Sequence, residues 1–242
     1  MSSIRPTISA KLSTETITLA AVALLALAAG VLSVRDARAA YLRMMGVDTV
    51  VSAEAMDRGA ARDRLLDQAQ VRLHDALEVY PRDASLWRAM ARTRYLQATG
   101  AEVTEVSPPL LQASAEAARR AEQLDPASFD APAQLAQALA LLPPNNAREA
   151  AEALGRSYLN RGPDPLVGVE RIETAARLWP ALPAETQEAA LAEACLLSRQ
   201  DVSSEARVRS ALATSAIFSS RLAEISQRAG CAPGSSIQSP DN

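Results

Sequence analysis

Between Thr16 and Val34 the chain reads TITLAAVALLALAAGVLSV, without a single charge. Nineteen residues at ~1.5 Å rise make about 28 Å of helix, close to the hydrocarbon thickness of a bilayer. A buried core helix is rarely this uniformly apolar, so hydropathy predicts one transmembrane helix over 16–34, with the lipid bilayer as its partner. Ser13 or Thr14 can cap its start, and RDARAAYLRM carries the helical pattern on to Gly46, where it is expected to end. Ala37-Arg38-Ala39 has the small-x-small form of a signal-peptidase site. Against cleavage, the apolar run exceeds the usual ~7–15-residue core of a signal peptide, and Arg35 and Asp36 intervene before the site. An uncleaved anchor is the favoured reading; a cleaved signal that removes residues 1–39 is the alternative.

The remaining chemistry excludes more than it selects. A formal net charge of −3 argues against nucleic acid, which needs a concentrated basic face. Two cysteines rule out a disulfide-rich scaffold, and one histidine argues against a histidine-based metal site. The charge is also unevenly placed. Residues 1–46 hold five basic and two acidic groups, whereas the rest hold twenty basic and twenty-six acidic. A basic juxtamembrane end suits anionic headgroups, and an acidic domain suits solvent away from them. Alanine at roughly a fifth of the chain, far above its ordinary share, and Lys11 as the single lysine point to a GC-rich bacterial genome.

Beyond Gly46 apolar residues recur at three and four, and strand-like alternation is almost absent, which predicts an all-α fold. The expected helices are 60–79, 84–97, 108–124, 128–142, 147–159, 166–178 and 184–198, with a last stretch over 203–229. Asp83, Ser107 before Pro108, and Asn146 supply expected starts. The tail APGSSIQSPDN is expected to be disordered. The domain plan is then a tail over 1–12, an anchor with its extension over 13–46, and a helical domain over 47–199. Capping helices over 200–230 and a disordered tail over 231–242 complete it. Charges flanking the span give no clean orientation. Cys195 and Cys231 are a candidate disulfide that would staple the C-terminal hairpin in an oxidising compartment; two unpaired thiols are the alternative.

Three segments share one pattern ending in proline: AQVRLHDALEVYP at Pro81, SAEAARRAEQLDP at Pro126 and GVERIETAARLWP at Pro180. Twelve residues before the proline stands a small residue (Ala69, Ser114, Gly168), eight before an apolar one (Leu73, Ala118, Ile172), and five before an alanine (Ala76, Ala121, Ala175). Alanine on that face lets another helix approach closely, and the proline stops the helix. Trp87, Met90 and Ala91 follow the first proline, Leu135 and Ala136 the second, Ala189 and Ala190 the third. With Tyr95 one place later than usual, this pattern resembles the tetratricopeptide repeat, a helix–turn–helix unit of about 34 residues. The wider spacing of the prolines makes the units irregular. A generic alanine-rich helical bundle is the competing reading.

That resemblance implies an α-solenoid whose first helices line a concave surface, placing Ser85, Arg88, Arg92 and Tyr95 in a candidate binding groove. Ala133 and Gln137, then Gln187 and Leu191, would follow at the same offsets. Arg88 and Arg92 lie one turn apart and could together grip a carboxylate or phosphate; a solvated arginine face paired with Asp83 or Glu78 is the alternative. No catalytic constellation appears. His74 reads as a neutral surface histidine, Cys195 as a buried inert thiol, and Glu185, Glu188 and Glu193 as a solvated helix face. The expectation is a non-catalytic scaffold of the bacterial cell envelope, anchored in the inner membrane with its domain in the periplasm. It would need no cofactor and no small-molecule substrate. Surface-polysaccharide or envelope-complex assembly is the process that similar anchored repeat proteins suggest. A cleaved periplasmic chaperone and a structural subunit of a membrane complex are the alternatives.

Overall fold

The computed structural model describes residues 14–100, 106–162 and 168–198, together with 220, and places side chains from Ala21 onward. Among the described residues the chain is helical throughout: α1 (Thr14–Glu54), α2 (Ala60–Val79), α3 (Ala84–Gly100), α4 (Pro108–Leu124), α5 (Asp130–Ala140), α6 (Ala147–Asn160), α7 (Gly168–Leu178) and α8 (Ala184–Ser198). The expected N-terminal tail, the 203–229 stretch, Cys231 and the C-terminal tail lie outside the described residues, save Ser220.

The proline-ended pattern produces a repeated cap. A residue before proline is pushed out of the α region; Tyr80 (φ −120, ψ 65) and Asp125 (φ −138, ψ 80) are both turned this way. Each returns its backbone N–H to the alanine four residues back, Ala76 or Ala121, at 2.9 Å. Both alanines are fully buried. At Pro180 the chain instead tightens into a 3-10 turn, Trp179–Ala181. After the first proline, Asp83 caps α3: its Oδ1 accepts from the Ser85 N–H at 2.8 Å, the Ser85 hydroxyl at 2.6 Å and the Leu86 N–H at 3.4 Å. Ser107 and Asn146 hold the N-cap positions of α4 and α6, but neither side chain makes a capping hydrogen bond; the Asn146 amide donates to the Pro143 carbonyl instead.

Burial raises the Asp83 carboxyl pKa, but the Ser85 hydrogen bonds, the Arg43 charge and the Leu86 N–H outweigh it and leave the value below normal. A lowered folded pKa stabilises the fold above the unfolded value of 3.8 and loses that contribution as pH falls through the folded one. Asp83→Ala should therefore cost about 1 kcal/mol at neutral pH. The difference in melting temperature from wild type, read by circular dichroism, should shrink below pH 4. An equal difference at pH 3 and pH 7 would refute the assignment.

Hairpins α1–α2, α3–α4, α5–α6 and α7–α8 stack so that alternate helices meet: α1 with α3, α3 with α5, α5 with α7. Their seams are the small residues of the pattern. Ser114 is fully buried, and its hydroxyl donates to the Ala91 carbonyl at 2.8 Å, joining α4 to α3. Leu73, Met90, Ala91, Leu135, Ala136, Ile172 and Ala175 are all buried in one continuous core.

Gly46 does not end α1. The helix runs through it to Glu54, and a side chain there would bring Cβ to 2.9 Å from Leu73 Cδ2. Glycine costs about 1 kcal/mol in a helix interior, which is too little to stop a helix that gains a close packing partner. The chain turns instead at Gly59, whose φ of +151 suits a residue without Cβ. Ala39, Gly46, Thr49, Val50 and Ala53 form the buried stripe against α2, so the folded domain begins near Ala39 and not at residue 47.

N-terminal to that stripe α1 stands clear of the domain. Val22, Leu24, Leu25, Leu27, Val31, Leu32 and Val34 are each 57–71% exposed. No helix among the described residues is long and apolar enough to cross a membrane. Arg35, Asp36 and Arg38 follow directly on the apolar residues, and the expected span has no support among the described residues.

Glu193 is not part of a solvated face. With Arg171 it forms an ion pair in which neither side chain has any exposure. The Arg171 guanidinium also lies 4.3 Å from the Tyr158 ring centroid and donates to the carbonyls of Arg161 and Gly162. The Tyr158 hydroxyl donates to Glu193 at 2.8 Å, and burial, then the Glu193 charge, push its pKa well up. Glu185 and Glu188 are exposed, as expected of a solvated face.

Candidate functional site

Because only alternate helices meet along one side of the stack, their exposed faces form a trough of about 970 Å³. Its walls come from α1 (Ala40 to Glu54), α3 (Ser85, Arg88, Ala89, Arg92), α5 (Asp130, Ala133, Gln134, Gln137) and the start of α7 (Glu170, Arg171). Ser85, Arg88 and Arg92 line it, as do Ala133 and Gln137 at the same offsets from the next proline. Tyr95 does not. It is half-buried beside the groove, with the Arg92 guanidinium 5.9 Å from its ring centroid, and burial raises its pKa.

Gln187 and Leu191 do not line it either. Gln187 donates to the Trp179 and Leu182 carbonyls, and Leu191 is buried. The cause is parity. α2 and α4 end at Pro81 and Pro126, but α6 intervenes before the helix that ends at Pro180. α7 therefore stands in the phase of α3 and α5, and Glu170 takes the groove position that the periodic pattern gave to α8.

The two arginines do not converge on one open position. Arg88 donates to Asp125 at 3.3 Å and to the Ser128 hydroxyl at 2.8 Å. Arg92 meets Glu54 at 2.5 Å and holds Glu170 with both terminal nitrogens, at 3.1 and 2.6 Å. Burial works against the Arg92 charge, but Glu170 and Glu54 outweigh it and raise its pKa above the ordinary arginine value. Gln137 donates to Glu170 at 3.0 Å, so a single polar network ties α1, α3, α5 and α7 together at the trough floor. Asp83, an expected arginine partner, pairs with Arg43 instead, and Glu78 lies 3.9 Å from His74 on the exposed face of α2.

Within the trough the side-chain oxygens of Gln134 and Gln137 are buried and accept no hydrogen bond. A buried acceptor left in this state costs about 1–3 kcal/mol. On the α1 wall, Met44 and Val51 are exposed and apolar, with half-buried Val47 between them. Sequence reasoning missed this wall because it ended the first helix at Gly46 and expected no helix between there and residue 60. The buried stripe Ala39, Gly46, Val50, Ala53 was the available signal.

No group of three potential metal ligands occurs among the described residues. Cys195 is half-buried and held in a disulfide; Cys231, the chain's other cysteine, lies outside the described residues. No protein-family model, curated protein or solved structure matches the chain.

Proposed function

We propose that this chain is a non-catalytic, membrane-anchored interaction scaffold of the bacterial cell envelope, with a tetratricopeptide-like domain that receives protein partners in the trough. One observation carries the reading: α1 is a single helix whose exposed apolar half is continuous with the half that walls the trough. In the sequence the uncharged run extends from Thr16 to Val34, long enough to span. From Val34 to Ala40 is six residues, about 9 Å of helix, so an anchored chain holds the near end of its trough close to the headgroups. Anchoring there raises the local concentration of the domain around membrane-bound partners, which suits assembly of envelope or surface-polysaccharide machinery.

An intact anchor is favoured over a cleaved signal because Ala37–Ala39 lies inside α1, with Ala39 packed against the domain. The periplasmic side is favoured by the Cys195 disulfide, which an oxidising compartment sustains; we assign its second sulphur to Cys231. A photo-crosslinking amino acid at Val51, on the exposed trough wall, should capture a discrete membrane-associated protein in the native cells. The same residue on the outer face of α2, at Val71, should not. Equal capture at both positions, or none at Val51, removes the scaffold reading. In those cells a thiol reagent should label the two cysteines only after reduction, and labelling without reductant would move the domain to the reducing side.

A further inference from the structure

The arginines that suggest an acidic partner are already engaged, and what the trough leaves unsatisfied is a pair of buried hydrogen-bond acceptors. Arg92 is held by Glu54 and Glu170, and Arg88 by Asp125 and Ser128. Gln137 is only 5% exposed, and its Nε2 is committed to Glu170, which fixes the amide and leaves Oε1 without a donor. Three residues earlier, on the same face of α5, the buried Gln134 Oε1 is in the same state. Two other unpartnered buried atoms, on Arg62 and Gln97, lie away from the trough.

The charges agree with this. Asp48, Glu54, Asp83, Asp130 and Glu170 line the trough against Arg43, Arg88, Arg92 and Arg171, and Arg171 is neutralised from behind by Glu193. The balance is acidic. On the α1 wall, Met44, Val47 and Val51 follow one helix face at helical spacing.

We propose that the trough binds a partner polypeptide segment that presents a lysine or arginine between apolar residues. The cation faces the Glu170 and Glu54 carboxylates, and a small shift of the Gln134 and Gln137 side chains brings their buried Oε1 atoms within its reach. Its apolar neighbours cover Met44, Val47 and Val51. A polypeptide fits better than a small amine because donors and apolar groups are required together on different walls of one trough, and a chain offers both in alternation. This inference rests on the scaffold reading above and reverses the acidic partner that Arg88 and Arg92 suggest in the sequence.

The test is a bead-bound library of random nonapeptides, screened with the full-length protein in lipid nanodiscs. Enrichment of lysine or arginine at one position with apolar neighbours is expected. Gln137→Met keeps size and net charge but removes the acceptor, and it should weaken the selected peptides about tenfold with helix content unchanged by circular dichroism. Enrichment of aspartate, glutamate or free carboxylates overturns the inference. So does the absence of any selected position, equal binding by the Gln137→Met protein, or displacement by free butylamine as effective as by peptide. If Val51 still captures a protein in cells while the library selects acidic peptides, the scaffold reading stands and this inference falls. Failure at Val51 removes both.

Discussion

Glu193→Leu should destabilise the domain by about 3–5 kcal/mol, the cost of leaving a buried charge without its partner. Arg171 is 1% exposed, and its other contacts are two carbonyls and the Tyr158 ring, none of which neutralises it. The double variant Arg171→Met, Glu193→Leu should recover most of that loss, because it removes both desolvation penalties together and fills similar volume. Chemical denaturation of the two variants beside wild type measures the coupling. A single variant within 1 kcal/mol of wild type would mean that water reaches the pair, contrary to its zero exposure. The effect should reach the trough as well, since Arg171 and Glu170 are adjacent and Glu170 holds Arg92 and Gln137.

The second large effect concerns the apolar half of α1. Leu25→Arg combined with Leu27→Arg should release the protein from the membrane fraction. Each arginine near the centre of a span costs about 2.5–3.5 kcal/mol, so the pair shifts the partition by more than about a thousandfold. Leu25 and Leu27 are 70% and 68% exposed and touch nothing in the domain that the substitution would disturb. Alkaline extraction followed by sedimentation provides the measurement, with circular dichroism to establish that the domain still folds. Wild-type protein in the alkaline supernatant, or a double-arginine variant that still sediments, would exclude the anchor and leave the exposed helix to pack against a protein.

Much of the helical framework was legible from local rules. Ala60–Val79, Pro108–Leu124 and Ala184–Ser198 have the bounds that the sequence predicts, because Pro81, Pro108, Pro126 and Pro183 punctuate them and proline acts through its own ring and its immediate neighbour. Asp83 as a cap was readable for the same reason. Gly46 was misread because a local rule makes glycine a terminator, whereas its close approach to Leu73 depends on a helix that returns about 27 residues later. Ser107 and Asn146 stand at the helix starts that the sequence predicts, but neither side chain makes a capping hydrogen bond.

The candidate site divides along the same line. Arg88, Arg92, Ala133 and Gln137 could be placed on one surface from their offsets alone, because equal spacing after equivalent helix ends gives equal faces. Which charges oppose them could not. Glu54, Asp125 and Glu170 come from three other parts of the chain, and nothing in their own neighbourhoods marks them as arginine partners. The extra helix before Pro180 turned α7 inward and brought Glu170 to the floor, and it made Glu193 a buried counter-ion where a surface carboxylate was expected.

By itself the sequence determined where helices start and stop, which of their faces are small and apolar, and that one uncharged run of bilayer length precedes them. Those properties depend on residues within a turn or two of each other. Only the tertiary structure decided that this run and the first wall of the trough are one helix, that the arginines are already neutralised, and that two glutamine oxygens remain to be satisfied. Each of those depends on groups brought together across the stack, where the energy of a charge or a buried acceptor is set by its spatial neighbours and not by its place in the chain.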